Sequence, residues 1–294
     1  MSASQSLDST LMAELLTRFV RQVPTSLAVK HAQRMVPLYK AIPSEPQTIL
    51  DVGCGDGSFW RAFPGSEKHS LHGIDLDADE TALAKASGVF VKLMQGDISN
   101  TVPEGSYDFV IGNCSMEHVP DIHGALTNIR ACLKPDGRLL LLVPAFGWTR
   151  TLRMVRAVES RSTRLGMALA GAIDGFFQHH HLYDHDTWSS LLRKSGYRVV
   201  DCQGIGGAAL NSSFERYLPP AALEFFYKVA FRHYPNWPWL RPAISAAARD
   251  ELLQQPVPLG APGIVEYIIT AVPDPAPSSQ HQPPGKAAGQ EWPT

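Results

Sequence analysis

The sequence predicts an α/β fold built on a doubly wound, mostly parallel sheet. Three observations lead there. The apolar run Ile49–Val52 passes straight into Gly53, Gly55 and Gly57, which reads as a buried strand, a sharp turn and the start of a helix. Strand-like runs recur at 71–75, 90–95, 107–113 and 139–143. Helical stretches separate them, and that alternation is the signature of a parallel sheet.

Composition bounds the class. A chain of 294 residues with 44% apolar and 18% charged side chains can bury a sizeable core in one or two domains. A net charge of −2 supplies no basic field for nucleic acid, so none is expected as a partner. Cys54, Cys114, Cys132 and Cys202 show no CxxC spacing and read as reduced apolar fillers, as in a cytoplasmic protein. Met1 to Thr10 has neither a basic start nor an apolar run, so no secretory leader is expected. No stretch of 18 apolar residues is present to span a bilayer.

In chain order, residues 7–42 read as two helices broken near Pro24, with Leu11, Leu15, Leu16 and Phe19 at helical spacing. A helix is expected from Gly57 to Pro64. Asp77 or Asp79 can cap the next, through Lys85. Strands follow at Phe90–Gln95, before Gly96-Asp97, and at Tyr107–Asn113. An amphipathic helix at Ile122–Leu133 is stopped by Pro135-Asp136-Gly137, and a strand at Leu139–Val143 comes next. A further helix runs from about Asp186 to Ser195.

The glycine spacing selects among nucleotide-type cofactors. Dinucleotide enzymes favour G-x-G-x-x-G, whereas this turn reads Asp51-Val52-Gly53-Cys54-Gly55-Asp56-Gly57. An acid at the strand tip repels a pyrophosphate and suits an ammonium group. This run resembles the first motif of the class I S-adenosylmethionine-dependent methyltransferases, D/E-x-G-x-G-x-G, with Asp51, Gly53, Gly55 and Gly57 in place. Asp75, 22 residues after Gly53, ends the second strand where a ribose-binding carboxylate belongs, with Leu76 beside it. The resemblance implies that Asp97, with Ile98, lies by the adenine, and that Asn113 closes the cofactor site at the fourth strand tip. It also implies S-adenosyl-L-methionine as cofactor and a Rossmann-like sheet of seven strands. The resulting division is a helical cap at 1–46, a methyltransferase domain at 47–272 and a tail at 273–294. That tail has six prolines in 22 residues and is expected to be disordered. Insertions at 145–182 and 205–262 would recognise the substrate.

Chemistry belongs at the fourth strand tip, Asn113-Cys114-Ser115-Met116-Glu117-His118-Val119-Pro120-Asp121. It lacks the Asn/Asp-Pro-Pro-aromatic run of enzymes that methylate base amines, and the Pro-Cys nucleophile of cytosine-C5 enzymes. Its Glu-His-Val-Pro-Asp run resembles small-molecule methyltransferases of the type 11 kind. His118 is a candidate at the methyl group, against a reading in which it only packs at a helix start. His181, in the tract His179-His180-His181, stands where the resembling family often has a single histidine; it is a candidate base for a hydroxyl acceptor, against an exposed tract without a role. Three adjacent histidines cannot converge on one point, so no metal is expected.

In the first insertion Arg150, Arg153, Arg156, Arg161 and Arg164 fall on one arc of roughly 140° if the segment is a single helix. The second holds nine of the chain's 26 aromatics between Phe214 and Trp239. The pair suggests a small or lipid-linked acceptor and peripheral contact with a membrane, against a solvated basic face and an ordinary core. Methylation at oxygen is the leading reading. Transfer to nitrogen or carbon, and a catalytically silent binding protein, remain alternatives, and the oligomeric state is open.

Overall fold

A computed structural model describes residues 3–20, 23, 25–206, 214–231, 259 and 263–274. Two helices come first, α1 (Ala3–Phe19) and α2 (Thr25–Ala41), separated near Pro24 as expected. The core then runs β1 (Thr48–Val52), α3 (Ser58–Ala62), β2 (Ser70–Asp75), α4 (Ala78–Ser87), β3 (Lys92–Gln95), β4 (Tyr107–Asn113), α5 (Ile122–Cys132) and β5 (Leu133–Pro144). After it come α6 (Arg153–Glu159), α7 (Thr163–Phe176), α8 (His185–Lys194), β6 (Tyr197–Gly206), α9 (Leu218–Phe231) and β7 (Ile264–Pro273).

Seven strands form one sheet in the order β3-β2-β1-β4-β5-β7-β6. The first five are parallel; β7 inserts antiparallel between β5 and β6. Chain direction switches sides between β1 and β4, the point at which a doubly wound sheet opens a crevice at its carboxyl edge. Alternation along the strands splits the core. Ile49, Phe109, Ile111, Leu140 and Leu142 face α1, α2 and α3, with Phe19, Met35 and Trp60 buried between the layers. Leu50, Val52, Val110, Leu139 and Leu141 face α5 and α8. In α5 the buried residues Ile122, Ala125, Leu126 and Ile129 recur at helical spacing, and Asp121 caps the helix by accepting from Gly124 N at 3.0 Å.

Local expectations meet specific outcomes. Asp77 is the cap of α4, accepting from the N–H groups of Asp79 and Glu80. The third strand ends at Gln95 as expected but begins at Lys92 rather than Phe90, whose ring packs behind Gly57. The strand expected at Leu139–Val143 begins instead at Leu133, which pairs with Tyr107 across a register shift; Lys134 holds the shifted stretch to Asp108 at 2.6 Å.

The single basic helix of the first insertion does not form. Arg150 lies in a 3-10 turn at Trp148–Thr151, Arg153 and Arg156 in α6, Arg161 in a break and Arg164 in α7. Ser162 starts the new helix as its cap, and Gly166 lets α7 cross α6 so closely that a Cβ there would overlap Glu159. The arginines therefore share no common arc. Of the aromatic-rich second insertion, Tyr234, Trp237 and Trp239 lie outside the described residues, as does the tail from 275.

Candidate functional site

The turn after β1 is shaped by its glycines. Gly53 has φ +73° and a Cβ on it would overlap that of Ser115, so only glycine fits. Gly55 also has positive φ, but open space fronts it, with only Glu80 Oε2 at 3.9 Å from a built Cβ. The backbone is thus bare where a ligand would approach, and Gly57 leads into α3 as its left-handed cap.

Three carboxylates surround this turn at the tips of β1, β2 and β3. Asp51 is 3% exposed; its Oδ2 accepts from Trp60 Nε1 at 2.8 Å and its Oδ1 has no partner among the described residues. Burial, partly offset by the Trp60 bond, pushes its pKa up to about 7. Asp75 accepts from Gly55 N and Asp77 N at 2.8 and 2.9 Å, which stitches the β2 tip to the glycine turn; each oxygen retains capacity for another donor. Leu76 beside it stands 71% exposed. Asp97 is engaged locally: Oδ1 takes the Ser99 N–H and hydroxyl, Oδ2 the Asn100 amide, and these bonds lower its pKa. Ile98 points into the core at 5% exposure.

From the turn, one contact leads to the β4 tip. The Ser115 hydroxyl donates to Val52 O at 2.5 Å, seating 115–118 against β1. Asn113 Oδ1 accepts from Arg34 Nη1 at 3.1 Å. Arg34, from α2, also forms a bidentate pair with Glu266 of β7 at 2.7 and 2.9 Å, both buried. Glu117 is 1% exposed; burial pushes its carboxyl up to about 8, and Oε2 has no hydrogen-bond partner among the described residues.

The two histidine candidates have different surroundings. His118 is part-exposed, its Nδ1 donates to Gln178 O at 3.2 Å, and its Nε2 lies 3.8 Å from Glu117 Oε1. Burial lowers its pKa, so the ring is neutral at pH 7 and Nε2 keeps its lone pair. His181 is buried; Nε2 donates to Val119 O at 2.8 Å and Nδ1 accepts from the Tyr183 hydroxyl at 2.9 Å. Both ring nitrogens are engaged in tying the histidine tract to the β4 tip, where Glu117 O also accepts from His180 N and His181 N. The third tract member, His179, stacks on His118 with ring centroids 5.2 Å apart.

Arg34, Glu266, Glu117, His179 and Lys228 were not candidates from sequence. Glu266 carries a signal, a lone charge inside the apolar run Ile264–Ile269. Lys228 of α9 reaches Asp56 at 3.1 Å and Glu80 at 3.0 Å, clasping the glycine turn to α4; nothing in the aromatic run around it announces that contact.

A glycine turn at the switch point, ringed by strand-tip carboxylates, defines a nucleoside-cofactor site of the Rossmann-like type. A family model described as a methyltransferase domain matches residues 19–201. Trans-aconitate 2-methyltransferase of Acidovorax ebreus is 31% identical over 217 residues, 71% of this chain and 75% of the relative. The chain therefore belongs to the class I S-adenosylmethionine-dependent methyltransferases and is an enzyme of that class. Malonyl-[acyl-carrier protein] O-methyltransferase of Halalkalibacterium halodurans is 31% identical over 133 residues, 40% of this chain, and the match spans about half of that protein (47%). Among solved structures, the methyltransferase chain in the complex with the Haloferax volcanii Trm112 methyltransferase activator shares the fold, with a TM-score of 0.52 at 17% identity over 83% of this chain and 91% of that one. No helix among the described residues is long and apolar enough to cross a membrane.

Proposed function

We propose that this chain moves the methyl group of S-adenosyl-L-methionine to an oxygen of a small acceptor bound at the β4 tip. The packing of Ser115 against Gly53 and Val52 supports the reading, because Glu117 and His118 follow Ser115 by two and three residues. The buried, partnerless Asp51 Oδ1 and the open face at Gly55 fit a nucleoside bearing an ammonium group. In this reading Asp51 and Gly53–Gly57 hold the methionine end and Asp75 the ribose. Leu76 and Asp97 line the adenine, Ile98 backs them from the core, and Asn113 closes the site. The cofactor supplies the electrophilic methyl; the protein supplies alignment and a dry pocket. His118 contacts the acceptor. His181 acts as a positioning residue, since both its nitrogens are engaged in holding the 117–119 segment. A relative named for the methylation of trans-aconitate supports a small acidic acceptor.

A lipid-linked acceptor draws on a separate observation. Leu223, Phe225, Phe226 and Phe231 of α9 are each more than half exposed, on the helix clasped to the glycine turn by Lys228. Co-sedimentation with anionic vesicles at low salt tests it; no pelleting ends that variant.

The direct test incubates the protein with methyl-labelled cofactor and panels of hydroxylated and carboxylated metabolites, followed by mass spectrometry. A labelled O-methyl product supports the proposal. Labelled nitrogen or carbon corrects the acceptor atom, and failure of S-adenosylhomocysteine to raise the melting temperature overturns the cofactor assignment.

A further inference from the structure

The structure assigns a divalent-cation site to Glu117, His118 and His179, at the β4 tip. One ligand atom from each of these side chains lies within 4.8 Å of the others. Two imidazoles and one carboxylate meet there from two segments, Glu117 and His118 from the 3-10 turn at Met116–His118 and His179 from the bend after α7, and the histidine tract contributes one of its three members. The expectation from sequence treated the tract as a unit; the fold instead pairs His179 with Glu117 and His118.

Three independent features favour an ion over a packed polar cluster. Glu117 is 1% exposed and its Oε2 lacks a hydrogen-bond partner among the described residues; a buried carboxylate oxygen left in that state is costly unless something positive meets it. The His118 ring is oriented for ligation, because Nδ1 is held by the Gln178 carbonyl and Nε2 faces Glu117. His179 Nδ1 faces Asp174 Oδ1 at 3.5 Å without a hydrogen bond among the described residues, and the Thr149 hydroxyl holds the other oxygen, Oδ2, at 3.1 Å. Backbone carbonyls and carboxylates behind imidazoles are the usual outer supports of metal-binding histidines.

A mixed set of two nitrogens and one oxygen suits a first-row transition ion such as Zn(II), Mn(II) or Fe(II) better than Mg(II) or Ca(II), which prefer oxygen throughout. Three protein ligands leave coordination positions open. Resting on the function proposed above, those positions would receive the acceptor's hydroxyl or carboxylate oxygen and hold it beside the methyl donor.

The test uses the full chain, stripped with a chelator and titrated with Co(II), read by its visible d–d absorption and by calorimetry, with Zn(II) as competitor. One ion per chain is expected. Glu117→Gln, His118→Ala and His179→Gln should each weaken it at least about tenfold, and Asp174→Asn by about tenfold. The S-adenosylhomocysteine melting shift serves as a control for folding and reports on the methyltransferase reading separately. Absence of saturable Co(II) binding in the unaltered protein overturns the site. So does unchanged affinity in His118→Ala, the part-exposed position at which folding is least at risk.

Discussion

Arg34 and Glu266 lie 232 positions apart and meet in a buried bidentate pair, 2.7 and 2.9 Å long. The pair fastens the N-terminal helix α2 to the antiparallel strand β7, and Arg34 reaches on to Asn113. One interaction thus ties three segments over the carboxyl edge of the sheet. Removing one partner leaves the other charge buried, so Glu266→Gln should destabilise the protein by about 3–5 kcal/mol, while the apolar double variant Arg34→Met/Glu266→Leu should recover much of that loss. Urea unfolding measures both, and an equal loss in the double variant would contradict the account.

Gly53→Ala should be severe for its size. A left-handed alanine costs about 1–2 kcal/mol, and the added Cβ also overlaps Ser115. Relief moves the turn away from the β4 tip. Weakened S-adenosylhomocysteine binding together with a lowered urea midpoint is the expected pair of readouts.

The buried Asp51 makes stability depend on pH. Its folded pKa of about 7 exceeds the ordinary 3.8, so the native state holds an extra proton between those values. Its contribution is therefore favourable at low pH and is lost as pH rises from about 4 to about 7, by up to about 4 kcal/mol. Asp51→Asn should flatten that slope in the ligand-free protein. In the unaltered protein S-adenosylhomocysteine, with its ammonium group, should bind more tightly at pH 8 than at pH 6; the variant should lose this preference.

His118 and His181 separate in a KM-against-kcat and stability comparison. His118→Ala should lower kcat by about 100-fold or more with little change in melting temperature, because the ring is part-exposed and its loss gives up only the stack on His179 and the bond to Gln178 O. His181→Ala should cost about 1–3 kcal/mol of stability by stranding Val119 O and the Tyr183 hydroxyl. Loss of activity without loss of stability in His181→Ala would reverse the two roles.

Lys228→Met removes the cation between Asp56 and Glu80. Both carboxylates then face each other unscreened, and α9 loses its anchor to the glycine turn. Faster amide exchange across 218–231 and faster S-adenosylhomocysteine release are expected; unchanged exchange would show that α9 is held by other contacts.

The sheet was legible because its signals are local. Tyr107–Asn113 is a strand at both predicted ends, and Asp77 is the cap its spacing implies. The acceptor side was not legible, for two physical reasons. Arg34 sits in a helix whose pattern marks it no differently from any surface arginine, and its partner comes from the far end of the chain. Within 179–181, sequence cannot say which ring turns toward Glu117, because that choice is made by Asp174 and Gln178 around the bend after α7. The arginine arc failed for a simpler reason: Ser162 offered a cap, and a cap ends a continuous helix.

Ser115 sits with its β-carbon against Gly53 and its hydroxyl on Val52, so residue 53 admits no side chain and position 115 is held at the base of the turn. A change of acceptor must therefore be met from the walls, through 116–119, the 178–183 bend and α9. Redesign for a new acceptor should leave position 115 untouched and recut those walls around it.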